Sequence, residues 1–160
     1  MKTNKVAVQQ EELQETDDQM ELSEHQQELM DQEQAELLRY TPVVELMALA
    51  SPANHPNAYD VRNWKNKFGK IYVSNILDDS DVYVWRPILR QEWKEVIAKG
   101  YTDDYLRQED ILRKCLLFPK LDTILYEKPA GVMPALETKI MFQSGFVSEE
   151  FLIRSIREVE

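Results

Sequence analysis

The segment FGKIYVSNILDDSDVYVWRPILRQEWKE, residues 68–95, decides the fold that this sequence predicts. Two runs, residues 70–76 and 82–85, alternate aliphatic with aromatic side chains, a pattern typical of paired strands with two distinct faces. The polar residues 78–81 between them favour a turn, so the two runs form a β-hairpin. An Arg-Pro step then ends the second strand, and we expect a helix to begin at Pro87.

Helical patterns flank this hairpin on both sides. We expect helices to begin at the caps Asp60 and Thr102 or Asp103, at Pro134 and at Ser148. Two strands alone are rarely stable, so helices must cover at least one face of the hairpin. The sequence therefore predicts an α+β fold, predominantly helical, in which one β-hairpin packs on a body of four or five helices.

The spacing of apolar residues predicts which face of each helix is buried. On the helix after the hairpin, Ile97 is expected in the core. The next helix is expected to run to about Leu117 and to bury Leu106, Ile111 and Leu116.

The charge distribution divides the chain. Residues 1–40 carry 3 basic and 11 acidic side chains, which gives −8 of the net charge of −10 and leaves −2 for the other 120 residues. We interpret residues 1–40 as an acidic arm, helical or disordered, with a helix that docks on a partner as the alternative. Residues 41–59 are interpreted as an apolar segment and linker, and residues 60–160 as a compact α+β domain.

Charge and cysteine content narrow the functional classes. The acidic arm would repel a duplex nucleic acid and favours basic protein partners. A single cysteine, Cys115, permits no internal disulfide and is typical of a reducing compartment. No apolar run approaches the ~20 residues of a membrane span, and no signal-peptide core is present. We expect no nucleic-acid partner, no membrane contact and a cytoplasmic location.

No recognisable catalytic, cofactor-binding or metal-binding pattern occurs in the sequence. Cys115 lies on the apolar stripe of its helix, while His25 and His55 lie in the arm and the linker, so we expect a buried structural thiol. A small cysteine enzyme is the alternative. Three acidic pairs occur at a turn or at helix starts: residues 78–79, 103–104 and 149–150. Acidic residues stabilise such positions locally, and we predict that the protein is not an enzyme and holds no cofactor or metal.

One cluster of basic side chains surrounds two aromatic ones. Its members are Arg62, Trp64, Lys65, Lys67, Phe68 and Lys70. Such a cluster can bind single-stranded nucleic acid, which is the alternative to the simpler interpretation of a solvated helix face. The acidic arm of this chain, or of a neighbouring copy, is a ligand that we rank above nucleic acid.

The hairpin and the residue after it supply the side chains that we predict to contact a partner protein. They are Tyr72, Tyr83, Trp85 and Arg86. Tyr, Trp and Arg dominate the binding energy of protein interfaces, which is the basis of this prediction.

Two segments, residues 67–95 and 108–146, resemble small proteins encoded in the tail modules of contractile-tailed bacteriophages. The matching positions are Arg86, Pro87, Arg90, Glu92, Cys115, Pro119, Lys120, Ala130, Gly131, Leu136, Ser144, Gly145 and Phe146. The chain departs from the pattern at Leu89, where a small polar helix cap is expected. The acidic arm lies outside the resemblance.

This resemblance implies a non-enzymatic tail or baseplate morphogenesis protein of the tail assembly chaperone or baseplate (hub) assembly kind. It would act through contacts with other tail or baseplate proteins, such as the tape measure or hub, or with a second copy of itself. Its location would be the host cytoplasm during assembly. The alternative that the resemblance leaves open is a permanent structural subunit of the virion tail or baseplate.

Overall fold

The computed structural model describes residues 25–78 and 80–146 and divides the chain into two units, Met1–Thr41 and Pro42–Glu160. In the first unit, residues 25–38 form helix α1, most of whose side chains are exposed. For this part of the acidic arm, the helical alternative is the one found. The rest of the arm, residues 1–24, lies outside the described residues, as does the helix expected to begin at Ser148.

From Thr41 onward the described residues form six helices and three strands. In chain order these are α2 (Thr41–Ala50), α3 (Ala58–Phe68), β1 (Tyr72–Asn75), β2 (Val82–Trp85), α4 (Arg90–Ala98), α5 (Asp104–Cys115), β3 (Leu116–Phe118), α6 (Leu121–Glu127) and α7 (Val132–Gln143). The predicted fold class, α+β and predominantly helical, is confirmed. Across the described ranges, no helix combines the length and the apolar character that a bilayer crossing requires.

The three strands form one antiparallel sheet in the order β1-β2-β3. The hairpin pairs Tyr72 with Trp85 and Ser74 with Tyr83, so the aromatic side chains share one face, as the alternation predicted. The third strand was not predicted, because residues 116 and 117 were interpreted as the end of a helix.

Neighbouring residues explain why residues 116–118 form a strand instead of continuing helix α5. A proline disfavours helical backbone at the residue before it, and Pro119 follows Phe118 directly. Helix α5 therefore ends at Cys115, and Leu116 takes extended angles, φ −74° and ψ 131°. Three consecutive apolar residues in extended form then pair with the free edge of β2.

Helix starts depend on hydrogen bonds that simple cap rules only partly predict. Asp103 caps α5 as expected and accepts a bond from the Tyr105 backbone N–H at 2.8 Å. Helix α3 begins at Ala58 instead of Asp60, because Asn57 is its N-cap. Asn57 and Asp60 bond each other's backbone N–H groups, at 3.1 and 2.9 Å, in a capping box.

Two further helix starts differ from the prediction, and one helix was not predicted. Helix α4 begins at Arg90 instead of Pro87, and the residues between them continue extended from β2. Helix α7 begins at Val132, which places Pro134 in its first turn, where a missing backbone N–H costs no helical bond. Helix α6 was not predicted at all.

The boundary between arm and body also differs from the expected position. Residues 41–49 were interpreted as an apolar segment ahead of the linker, and in the structure α2 groups with the second unit from Pro42 onward. Met47 on α2 is fully buried, which explains why this helix is a part of the body. The loop that we expected as the linker follows at residues 51–57.

The core lies between the sheet and helices α4 to α7. Its buried side chains are Tyr83, Trp85, Ile88, Val96, Ile111, Leu112, Cys115, Ile124, Val132, Met133, Leu136 and Ile140. The predictions for Ile97 and Leu106 are wrong, since both side chains are about half exposed, at 56% and 50%. Each lies at the edge of the apolar stripe of its own helix, on the side that faces solvent.

Ile111 and Ile97 form a matched pair for measuring what the core contributes. Ile111→Ala should lower the free energy of unfolding by about 2–5 kcal/mol, because it removes a fully buried side chain and leaves a cavity. Ile97→Ala makes the same chemical change at an exposed helix position and should alter it by at most about 0.5 kcal/mol. Urea denaturation monitored by circular dichroism measures the free energy of unfolding of both variants. Equal losses in the two variants would contradict the core assignment.

Candidate functional site

The four side chains predicted to contact a partner do not form an exposed surface. Tyr83 is 0% exposed, Trp85 2% and Arg86 5%, while Tyr72 is half-buried. β3 makes β2 the central strand, and apolar side chains of helices α4 to α7 pack with Tyr83 and Trp85 in the core. The exposure on which the prediction depended is therefore absent, and the structure gives these side chains a role in holding the fold.

Each aromatic side chain of the hairpin has a defined partner within the fold. Tyr72 stacks on Trp85 with ring centres 4.9 Å apart, and the indole N–H of Trp85 donates to the Ser74 hydroxyl at 3.0 Å. Tyr83 donates to the buried carboxylate of Asp81 at 2.8 Å. Burial, together with that carboxylate, raises the pKa of Tyr83 above its usual range.

The Asp81 carboxylate is neutralised inside the fold. Lys128 Nζ lies 2.7 Å from its Oδ1 and joins the sheet to the loop between α6 and α7. A buried carboxylate is stable only when it is paired and hydrogen-bonded, which both Tyr83 and Lys128 provide. This arrangement is structural.

Arg86, just after β2, contacts residues of three helices: α3, α4 and α5. Its guanidinium donates to both carboxylate oxygens of Glu92 on α4, at 2.8 and 2.6 Å, in the bidentate geometry that Arg favours. Its backbone N–H donates to the Cys115 carbonyl at 2.9 Å, and Nη1 donates to the Pro87 carbonyl at 3.1 Å. The guanidinium carbon lies 4.5 Å from the ring centre of Phe68 at the end of α3.

The Glu92 carboxylate has a second function beside Arg86. It accepts the backbone N–H of Leu89 at 2.9 Å and thereby caps α4 without a polar N-cap residue. Burial raises the pKa of Glu92, but the hydrogen bonds from Arg86 and from the Leu89 N–H outweigh burial and hold the pKa below its ordinary value of 4.5. Glu92 explains why a helix can begin after Leu89, where a small polar cap was expected.

Residues of the second resembling segment contact the β2–α4 segment and α4. The Ser144 hydroxyl, just after α7, accepts the Ile88 backbone N–H at 2.9 Å, and Phe146 packs against Trp93 with ring centres 4.9 Å apart. Ser144 also donates to the Ile140 carbonyl at 2.6 Å. Ile88 and Ser144 are 56 residues apart, and the sequence carried no signal that they would meet here.

A cleft of about 330 Å³ opens beside these residues, and we call it the Arg86 cleft. It is lined by Lys67, Phe68, Lys70, Arg86, Pro87, Ile88, Leu89, Gln143 and Ser144. Among these described lining residues every charged side chain is basic. The cleft therefore combines an apolar wall with two exposed ammonium groups, of Lys67 and Lys70.

The basic cluster predicted from the sequence contributes only partly to this cleft. Lys67, Phe68 and Lys70 line it, whereas Arg62 lies over the ring of Tyr59 at 5.0 Å. The cleft also takes residues from the β2–α4 segment and from α7, which sequence reasoning missed because they come close only in the folded chain.

A second, larger cleft of about 620 Å³ lies between the loop after α2 and the β3–α6 junction. His55, which we placed in the linker away from the core, lies in its lining together with Lys120, Glu127 and Lys128. Lys128 is already paired with Asp81. Basic and acidic side chains both line this cleft. Its charge therefore indicates no particular class of ligand, unlike that of the Arg86 cleft.

Nucleophilic chemistry at Cys115 is disfavoured by its surroundings. The thiol is fully buried, as predicted, and burial raises its pKa to about 12 even though the Arg86 charge acts in the opposite direction. A thiolate is the reactive form of cysteine, so this side chain is almost entirely unreactive at neutral pH.

The acidic pairs occupy the local roles that were expected where the structure describes them. Asp78 accepts bonds from the Ser80 backbone N–H and hydroxyl in the hairpin turn, and these bonds lower its pKa. Asp103 caps α5. Residues 149–150 lie outside the description. Within the ranges 25–78 and 80–146, no three His, Cys, Asp or Glu side chains are grouped as a metal site requires.

Scans against known protein families, curated proteins and solved structures found no match for this chain. The resemblance to tail-module proteins therefore stays a prediction from the sequence pattern. What the structure adds is the position of the matching residues, several of which are neighbours around Arg86.

The Arg86–Glu92 pair should make stability depend on pH in a defined direction. Because the folded-state pKa of Glu92 is lowered, the pair contributes fully above the ordinary Glu pKa and is lost as the pH falls through the folded-state value. Glu92→Gln should reduce the free energy of unfolding at pH 7 by on the order of 3 kcal/mol, since it leaves a buried guanidinium unpaired. The difference between the two proteins should shrink as the pH falls below 4.5, the ordinary pKa of Glu, and should vanish only below the lowered folded-state pKa of Glu92.

Glu95→Gln is the matched control, because Glu95 lies on the same helix, is half exposed and pairs with Lys114 at the surface. This change should cost at most about 1 kcal/mol. Urea titrations between pH 7 and pH 3 measure the free energy of unfolding of the wild type and of both variants. A loss in Glu92→Gln that is constant across this range would contradict the role of the ion pair.

The Cys115 thiol should react slowly with a thiol-specific reagent in the folded protein. At about pH 8 we expect labelling to be on the order of 100-fold slower than in denaturing urea, because the thiol is reached only when the structure opens. Cys115→Ala, which should not be labelled, is the control. Labelling of the folded chain at the rate of free cysteine would show an accessible, activated thiol and would revive the cysteine-enzyme alternative.

Proposed function

We propose that this protein is a non-enzymatic morphogenesis protein of a contractile bacteriophage tail or baseplate and acts through protein–protein contacts. The observation that carries the proposal is the meeting of both resembling segments around one residue, Arg86. Residues of the two segments contact each other in the folded chain: Glu92 pairs with Arg86 and caps α4, and the Ser144 hydroxyl after α7 accepts the Ile88 backbone N–H.

The chemistry of the second unit supports a role in binding. Its only thiol is buried with a raised pKa, so covalent catalysis through Cys115 is unfavourable. The body instead exposes large apolar side chains of the kind that interfaces bury. Those more than half exposed, with the exposed fraction of each, are Leu49 71%, Leu77 54%, Leu89 56%, Ile97 56%, Tyr126 83% and Phe142 55%.

The partners in this proposal are other tail or baseplate proteins that meet the body during construction. Side chains exposed at helix ends are available for such contacts, and Leu89 and Tyr126 lie there. We place the protein in the host cytoplasm during assembly, as a factor that acts before the tail is complete.

Deletion of the gene from the phage that carries it tests the proposal. We expect lysates with filled heads but without complete contractile tails when viewed by electron microscopy, because a missing assembly contact halts the tail. A plasmid copy of the gene should restore the tails, and so should the Cys115→Ala variant, which a cysteine enzyme would not allow. Infectious particles with normal tails at the wild-type titre would refute the proposal.

Mass spectrometry of purified wild-type particles separates the two forms of this function. An assembly factor should be missing from finished particles. A fixed integer copy number per particle would instead identify the protein as a permanent structural subunit.

A further inference from the structure

We propose that the Arg86 cleft binds an acidic segment of a partner protein that inserts an apolar side chain between Phe68 and Leu89. This inference rests on the proposed role in protein contacts and specifies the partner chemistry. It differs from the surface predicted from the sequence, because the buried aromatic residues of β2 take no direct part in it.

Charge is the first argument. The cleft lining includes Lys67 and Lys70, and neither forms an ion pair within the described part of the chain. The ammonium of Lys67 lies 5.1 Å from the ring centre of Phe68, and the guanidinium of Arg86 lies 4.5 Å from the same centre. Because Glu92 already neutralises Arg86, the charge that attracts carboxylates to the cleft is that of Lys67 and Lys70.

A simpler role for these lysines is to stabilise the C-terminal end of α3, whose carbonyl groups carry partial negative charge. The backbone already serves part of that role. The Gly69 N–H donates to the Lys65 carbonyl and the Lys70 N–H donates to the Phe68 carbonyl, each at 2.9 Å. The ammonium groups therefore remain available to an external carboxylate.

The apolar wall is the second argument. Phe68, Pro87 and Ile88 form it, and Leu89, 56% exposed, also lines the cleft. Because Glu92 caps α4, position 89 is free of the capping role and carries an apolar side chain to solvent instead. A volume of about 330 Å³ lies at the lower end of the range for binding pockets, which suits one or two inserted side chains.

A protein segment fits these features better than a nucleic acid does. Two lysines neutralise few phosphates, and a chain with net charge −10 repels a polyanion that extends beyond the cleft. A short acidic segment places its carboxylates at the lysines and its apolar side chain on the wall, and it meets little of the remaining surface.

Fluorescence anisotropy with the full chain tests the inference. The probe is a short labelled peptide in which Leu-Phe is flanked on both sides by Asp and Glu, titrated at about 20 mM and about 200 mM NaCl. We expect saturable binding that weakens severalfold at the higher salt, because exposed charges are screened. A peptide with Ser in place of Leu-Phe, and one with Lys in place of the acidic residues, should both bind at least about tenfold more weakly.

Matched variants locate the binding site. Lys67→Glu with Lys70→Glu should weaken binding at least about tenfold, whereas Lys94→Glu with Lys139→Glu, the same charge change at exposed positions outside the cleft, should have a much smaller effect. Leu89→Ser should weaken binding, and Leu106→Ser, at a helix position of similar exposure, should not. Urea titrations confirm that each variant is folded.

Several results would overturn the inference: no saturable binding of the acidic peptide, equal effects of the cleft and control variants, or tighter binding of a single-stranded oligonucleotide than of the peptide. The gene deletion experiment shows whether a failure concerns the cleft or the proposed function. Absent peptide binding together with tail-less lysates would refute only the cleft assignment. Normal tails after deletion, together with cleft-specific peptide binding, would refute only the morphogenesis role.

Discussion

The bidentate ion pair between Arg86 and Glu92 is the interaction on which the rest of the body depends. A guanidinium that is 5% exposed requires a counter-charge, since an unpaired buried charge is strongly destabilising. Glu92 supplies two acceptor oxygens and the Pro87 carbonyl a third, while the Phe68 ring covers the guanidinium. The Arg86 Nε has no hydrogen-bond partner among the described residues and lies in this packed environment.

The same pair determines where neighbouring elements begin. Because Glu92 also accepts the Leu89 N–H, the first turn of α4 is positioned by a side chain from inside the helix. The Arg86 backbone N–H bonds the last residue of α5, which brings β3 beside β2. A charged group at the end of a strand thus connects the sheet with three helices, and the cleft beside it is a consequence of the same geometry.

Burial of β2 changes where contacts with other molecules can occur. Tyr83 and Trp85 contribute their large apolar surfaces to the core, where aromatic side chains give much of the stability of a domain of this size. The residues left for binding are those at element ends, such as Lys67, Lys70 and Leu89. Aromatic and arginine content alone therefore does not distinguish an interface from a core.

Much of the local structure was determined by the sequence itself: the hairpin and its two faces, the Asp103 cap and the buried position of Cys115. These features depend on residues within a few positions of one another, so periodicity and cap chemistry predict them. Only the tertiary structure decided that residues 116–118 form a strand, that three of the four predicted contact residues are buried, and that Ser144 meets Ile88 across 56 residues of chain. Such outcomes depend on which segments pair and pack at long range, where the total free energy of burial and hydrogen bonding outweighs local preference.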